Sequence, residues 1–164
     1  MKVDAVITSD LDKAGAEARE LEEMGYDGLK SIETAHDPFL PLLLAAQATT
    51  KIDLTTGIAV AFARSPMTLA NLVHDLNAAA KGRFNLGLGS QIRPHITKRY
   101  SMPWSSPAAR MREMILAMRA IWACWHEGVP LEFLGKFYTH TLMTPFFTPT
   151  NIESGPPKVY LAAV

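Results

Sequence analysis

Apolar and polar positions along this chain switch repeatedly between two periods. Residues 3–7 alternate weakly and predict a first strand. Leu11, Ala14, Ala18 and Leu21 then recur at helical spacing, with Glu and Arg between them. Ser9 or Asp10 can cap that helix, Asp12 stands in its first turn, and Gly25 closes it. The same unit repeats. Residues 26–33 read as a second strand, and a helix follows Pro38 through Leu42, Ala45 and Ala46. Residues 53–61 read as a third strand, with a helix from Pro66 through Leu69, Leu72, Val73 and Leu76. After Gly82 comes a fourth strand, Gly-Arg-Phe-Asn-Leu-Gly-Leu-Gly-Ser-Gln, in which glycines alternate with leucines. The last helix is the clearest, because Met111, Met114, Ile115, Met118, Ile121, Trp122 and Trp125 form one wide apolar stripe. An irregular excursion over 130–157 contains a candidate hairpin, 131–133 with 136–138 around Gly135. Residues 158–164 form a final apolar strand.

Strict strand–helix alternation predicts a parallel α/β sheet with right-handed crossovers. Periodicity alone leaves a doubly wound sheet and a TIM barrel both open. The chain has 164 residues, short of the ~250 typical of an eight-unit barrel. It ends on an apolar strand with no following helix to cover it, so further structure is expected to cover that edge. The composition, 48% hydrophobic and 20% charged, suits a globular core. Sixteen basic and sixteen acidic residues give zero net charge, so no nucleic-acid partner is expected. The start lacks an apolar signal segment and no run reaches the ~20 residues of a membrane span, so no membrane partner and a cytoplasmic location are expected. Cys124, the single cysteine, excludes an internal disulfide and reads as a buried thiol.

Glycine inside a strand signals a bulge or the close approach of a backbone or a flat ligand. Gly57, Gly87 and Gly89 carry that signal at the third and fourth strands. In parallel folds ligands bind at the strands' carboxyl ends. Ser90 and Gln91 follow the fourth strand there, and Glu33-Thr34-Ala35-His36-Asp37-Pro38 follows the second. Histidine can exchange a proton near neutrality. The plainer reading of that segment is that Asp37 caps the next helix and His36 braces the loop. His74-Asp75 lies on a helix and is expected to face solvent. The histidines show no H-x-H or H-E-x-x-H spacing, and there is no C-x-x-C, so metal ligation is not expected. Nucleophile-elbow, Walker and dinucleotide fingerprints are likewise missing.

Four segments stand in a recognisable order: Glu33-Thr34-Ala35-His36-Asp37-Pro38-Phe39; Thr56-Gly57-Ile58 with Arg64-Ser65-Pro66; residues 82–90; and Pro157-Lys158-Val159-Tyr160-Leu161-Ala162-Ala163. Together they resemble the bacterial luciferase-like family, and in particular its deazaflavin (coenzyme F-420)-dependent oxidoreductases. The resemblance runs over 1–164 and covers about the first half of a family member. It implies a luciferase-like TIM (β/α)8 barrel, represented here by about its first five strands in a single incomplete domain. It implies hydride transfer between F-420 and a small organic substrate. The alternatives are an FMN-dependent monooxygenase using oxygen, and a non-catalytic fragment or half-barrel needing a partner. A homodimer is one assembly the family allows. The resemblance assigns Gly57, Ile58 and Ala59 to a cofactor-facing bulge with a non-prolyl cis peptide. It assigns Gly89, Ser90 and Gln91 to the fourth strand end, although Gln91 stands where many relatives carry glycine. Ala162 and Ala163 fall at the fifth strand end, and His36 with Glu33 beside the reactive carbon. Tyr138 and His140, in the excursion, are candidates for substrate contact, with packing as the alternative. The family's phosphate-binding segment falls on later strands, so these residues alone are expected to seat the ring without anchoring a phosphate.

Overall fold

A computed structural model describes residues 1–162. The chain divides into two compact units. One comprises Met1–Ala59, Val73–Gly89 and the chain from Pro157 on; the other comprises Val60–Leu72 and Ser90–Pro156.

The first unit is a parallel α/β layer. Its elements are β1 (Asp4–Val6), α1 (Leu11–Glu23), β2 (Gly28–Ser31), α2 (Phe39–Ala48) and β3 (Asp53–Thr56). The two-residue β4 (Ala59–Val60) straddles the boundary, as does helix α3 (Pro66–Ala79). After α3 comes β5 (Phe84–Gly89). The later β8 (Lys158–Leu161) pairs with β5, as β4 also does, so the sheet has six strands, five of them in the parallel order β1-β2-β3-β5-β8. The strands do not close into a barrel.

One register row crosses five of these strands: Val6, Lys30, Thr55, Asn85 and Lys158. The alternate positions Leu29, Leu54, Phe84, Leu86 and Leu88 are buried. This is the period-2 alternation of a sheet covered by helices on one face. The covering layer includes α1 and α2, which pack on each other with Ala14, Ala18, Leu42 and Ala45 fully buried. The Phe39 and Phe84 rings lie 6.4 Å apart.

Local signals explain the element ends. Asp10 caps α1 by accepting from Asp12 N at 3.1 Å, and Gly25 and Gly82 take the left-handed φ of 88° and 82° that a closing glycine permits. Several expectations need correction. The third strand does not run to residue 61: it stops at Thr56, and residues 61–63 form a single 3-10 turn. His74 does not face solvent; it is 3% exposed, because Ala70, Val73, His74 and Asn77 fall on the one buried stripe of α3. Cys124 is half-buried rather than buried.

The second unit is organised by α4 (Pro107–Glu127). Met111, Met114, Met118, Ile121, Trp122 and Trp125 are buried along it, as the stripe predicts, and Gly128 ends it at φ 70°. Residues 95–99 make a π-helical turn that the pattern did not signal. The excursion carries an antiparallel hairpin of β6 (Phe133–Leu134) and β7 (Thr139–His140), two residues beyond the expected pairing. The cause is Glu113, whose Oε1 accepts from Phe137 N at 2.6 Å and Tyr138 N at 2.8 Å, so those N–H groups cannot join a ladder. No helix among the described residues is long and apolar enough to cross a membrane.

Candidate functional site

The first unit holds a cleft of about 480 Å³ on the open face of its sheet. Its lining follows from the register. Asp4 and Asp53 stand at the strands' amino ends; Lys30, Thr55 and Asn85 form the next row. Gly57, Ile58, Gly87, Tyr160 and Ala162 lie towards the carboxyl ends.

The floor is charged and internally paired. Lys30 Nζ lies 3.0 Å from Asp4 Oδ2, and Lys2 Nζ 3.0 Å from Asp53 Oδ2. Gly28 makes the first pair possible, since a Cβ there would sit 2.6 Å from Asp4 Oδ1. The Lys30 stem lies against Gly57, at ordinary van der Waals distance from where a Cβ would stand. Sequence reasoning missed this floor. The signal was present as polar residues at alternate strand positions, but their common row appears only once the register is known.

The wall above is small and apolar. The Gly57–Ile58 peptide is cis, the geometry the resemblance implies at this position. Gly57 N donates to Ser31 O at 2.7 Å, and Ile58 O accepts from Glu33 N at 3.4 Å. The two strand glycines have causes inside the protein. A Cβ on Gly87 would collide with the Thr56 carbonyl oxygen, and one on Gly89 would lie 2.8 Å from Ile58 Cδ1. Close approach of backbone at Gly87, and of a side chain at Gly89, therefore accounts for both.

The structure brings together only part of the candidate set. Gly57, Ile58 and Ala162 line the cleft. Ala59 and Gly89 are buried in the protein, Gly89 with Ile58 across it. Glu33 is half-buried and His36 exposed on the loop after β2; neither lines the cleft. Asp37 does what a cap does, accepting from Phe39 N at 2.8 Å. Ala163 lies outside the described residues. Ser90 and Gln91 belong to the second unit, where Ser90 Oγ donates to Gln91 O at 3.1 Å and Gln91 Oε1 accepts from Ile92 N at 3.0 Å.

In the excursion, Tyr138 is occupied as a structural clamp. Arg110 Nε donates to its hydroxyl at 3.0 Å, and the Arg110 guanidinium stacks 5.5 Å from its ring and 5.0 Å from that of Phe62. Glu113 holds the same turn. Burial pushes its carboxyl up, but the N–H groups of Phe137, Tyr138 and Lys136 together hold it below the usual carboxylate value. His140 is half-buried, its Nε2 has no hydrogen-bond partner, and burial lowers its pKa.

The family model for luciferase-like monooxygenases matches residues 3–164. The chain belongs to the luciferase-like family. A relative named an uncharacterized protein of Mycobacterium tuberculosis (Rv1360) is 54% identical over all of this chain and 48% of its own length. A second M. tuberculosis protein (Rv3520c), provisionally named a coenzyme F-420-dependent oxidoreductase, is 30% identical over 87% of this chain and 46% of its own. Among solved structures, the oxygenating constituent of the Pseudomonas putida 3,6-diketocamphane monooxygenase, in complex with FMN, aligns with a TM-score of 0.80. That alignment has 17% identity and covers 98% of this chain and 51% of that one. This luciferase-like chain thus spans about half the length of the curated relatives it matches.

The relatives and neighbours therefore include one provisionally named for coenzyme F-420 and one solved in complex with FMN. In this chain the fit to such a group lies at the cleft wall. Gly57 and Ala162 add almost no side chain, and Ile58 gives the same wall an apolar surface. The paired charges below are polar enough to meet the edge of a flat heteroaromatic ring. These residues fit the ring portion of a deazaflavin or flavin.

Proposed function

We propose that this luciferase-like chain contributes the ring seat of an oxidoreductase that transfers a hydride between coenzyme F-420 and a small organic substrate. The observation that carries the proposal is the cleft wall of Gly57, Ile58 and Ala162 at the strands' carboxyl ends. The sequence relative named for F-420 chemistry favours the deazaflavin over FMN.

When bound, the deazaflavin supplies hydride chemistry. The chain's residues do the rest. Gly57 and Ala162 let a ring approach the main chain, and Ile58 excludes water from one face. An imidazole nitrogen of His36 exchanges the proton that accompanies the hydride, with Glu33 as its partner on the same loop. Ala59 and Gly89, both buried, support the wall.

Titrating the chain with oxidised F-420 and with FMN, following cofactor fluorescence, tests the seat. F-420 is expected to bind at least tenfold more tightly. In a protein that turns over, His36→Ala is expected to slow turnover about a hundredfold with cofactor affinity unchanged. Full turnover by that variant removes the proton role. A second reading, an FMN-dependent monooxygenase, is supported by the fold shared with the FMN-bound enzyme. Tighter FMN binding, with oxygen uptake by the reduced complex, would select it. Solution size tests the remaining possibilities, a homodimer or a half-barrel completed by a partner. A folded monomer counts against both.

A further inference from the structure

The point where β3 leaves the sheet is held by one side chain. β3 and β5 pair through backbone at Leu54 with Phe84 and Thr55 with Asn85, although β5 continues to Gly89 and also pairs with β4. At the next position Thr56 Oγ1 donates to Gly87 O at 2.8 Å and accepts from Gly87 N at 2.9 Å. A hydroxyl is both donor and acceptor, so it satisfies both backbone groups of Gly87 that a continuing strand would have met. Thr56 is 1% exposed, so these bonds are shielded from bulk water.

The consequences run into the cleft wall. With the Thr56 hydroxyl in the ladder's place, the main chain turns away. On its other side the chain stays with β2: Gly57 N donates to Ser31 O at 2.7 Å, the next bond of the Ser31–Thr56 register, and Ile58 O accepts from Glu33 N at 3.4 Å. Ile58 in turn lies across Gly89, and the Thr56 carbonyl fills the space of a Gly87 side chain. The Thr56 hydroxyl thus holds the β5 side of the chain entering Gly57 and Ile58, while bonds to Ser31 and Glu33 hold the β2 side.

We propose that Thr56 is a positioning residue that sets the Gly57–Ile58 wall of the cleft and thereby its affinity for the cofactor ring. The second half rests on the function proposed above; the first does not. Thr56→Val keeps the shape and removes the hydroxyl, leaving the Gly87 N–H and C=O buried and unpaired. Thr56→Ser keeps the hydroxyl. Thr49→Val is the control. Its hydroxyl is equally buried and bonded, donating to Ala45 O at 2.7 Å, but it lies at the other end of the sheet.

Amide hydrogen exchange of the chain without cofactor reads the wall directly. Thr56→Val is expected to speed exchange at Gly57, Gly87 and Glu33 at least tenfold relative to Leu29 and Leu54. Thr56→Ser should remain within threefold of the parent, and Thr49→Val should leave these amides unchanged. Where Thr56→Val does not fold, Thr56→Cys, with its weaker hydrogen bonds, replaces it and is expected to show a smaller effect in the same amides. Unchanged exchange at Gly57 and Gly87 overturns the positioning role. In the F-420 titration, Thr56→Val should bind about tenfold more weakly than Thr49→Val at matched fraction folded. Equal affinity overturns the link to the ring. Faster exchange in a chain whose parent binds neither F-420 nor FMN leaves the wall assignment standing and rejects the cofactor reading and the affinity link.

Discussion

The two ends of the first unit's sheet are built on opposite plans. At the amino end, residues 49–52 join α2 to β3 between an anion and a cation. Glu22 accepts from the N–H groups of Thr50, Lys51 and Ile52 at 2.7–3.1 Å. Arg83 donates to the carbonyls of Ala46, Thr49 and Ile52 and to the Thr49 hydroxyl at 2.8–3.1 Å. The carboxylate takes the donors and the guanidinium the acceptors, so little of that loop's backbone is left to water. At the carboxyl end, Gly57 and His36 are exposed, and the chain is held by the Thr56 hydroxyl and single backbone bonds. Charge-assisted bonds make the first end a brace, while the second keeps surface available for a ligand.

Substitutions at the two ends can break this contrast. Arg83→Met removes the cationic donors together and should cost about 3 kcal/mol in denaturant unfolding, with F-420 affinity unchanged in the folded fraction. If affinity falls with it, the ends are not independent. Gly87→Ala, at the other end, forces the new Cβ against the Thr56 carbonyl. It should cost about 2 kcal/mol and weaken F-420 binding as well. Equal affinity in the variant would show that the wall does not depend on that close approach.

Glu22→Gln is smaller and sharper. Burial pushes this carboxyl up, but the N–H groups of Ile52, Lys51 and Thr50, with Arg83 nearby, hold it below its ordinary value of 4.5. A lowered folded-state pKa adds stability above the ordinary value, and that stability is lost as pH falls through the folded one. Unfolding followed from pH 7 downward should show the parent losing about 1 kcal/mol more than the variant below pH ~4.5. Parallel curves would remove Glu22 from the brace. The smallest effect belongs to His36→Ala, which should shift stability by no more than ~0.5 kcal/mol because the side chain is exposed. A larger loss would make His36 structural and return the loop to the plainer reading.

Legibility followed the range of each interaction. Asp10 and Gly25 are read correctly because capping depends on neighbours within a few residues. The apolar stripe of α4 is read from periodicity alone. The Glu33–His36 segment is ambiguous in sequence, and the structure sides with capping at Asp37 while leaving His36 exposed. The hairpin register slipped because the group that moved it, Glu113, lies 24 residues from Phe137. The Asp4–Lys30 pair and the Thr56–Gly87 bonds were missed for the same reason: residues far apart in the chain meet only through strand register.

By itself, the sequence determined the order of elements, most of their ends, and the family. Those depend on local periodicity, caps and four motifs in order. It also marked Gly57, Gly87 and Gly89 as places of close approach. Only the tertiary structure decided what approaches Gly87 and Gly89. The Thr56 carbonyl meets one and the Ile58 side chain the other, because parallel register sets residues some thirty positions apart side by side.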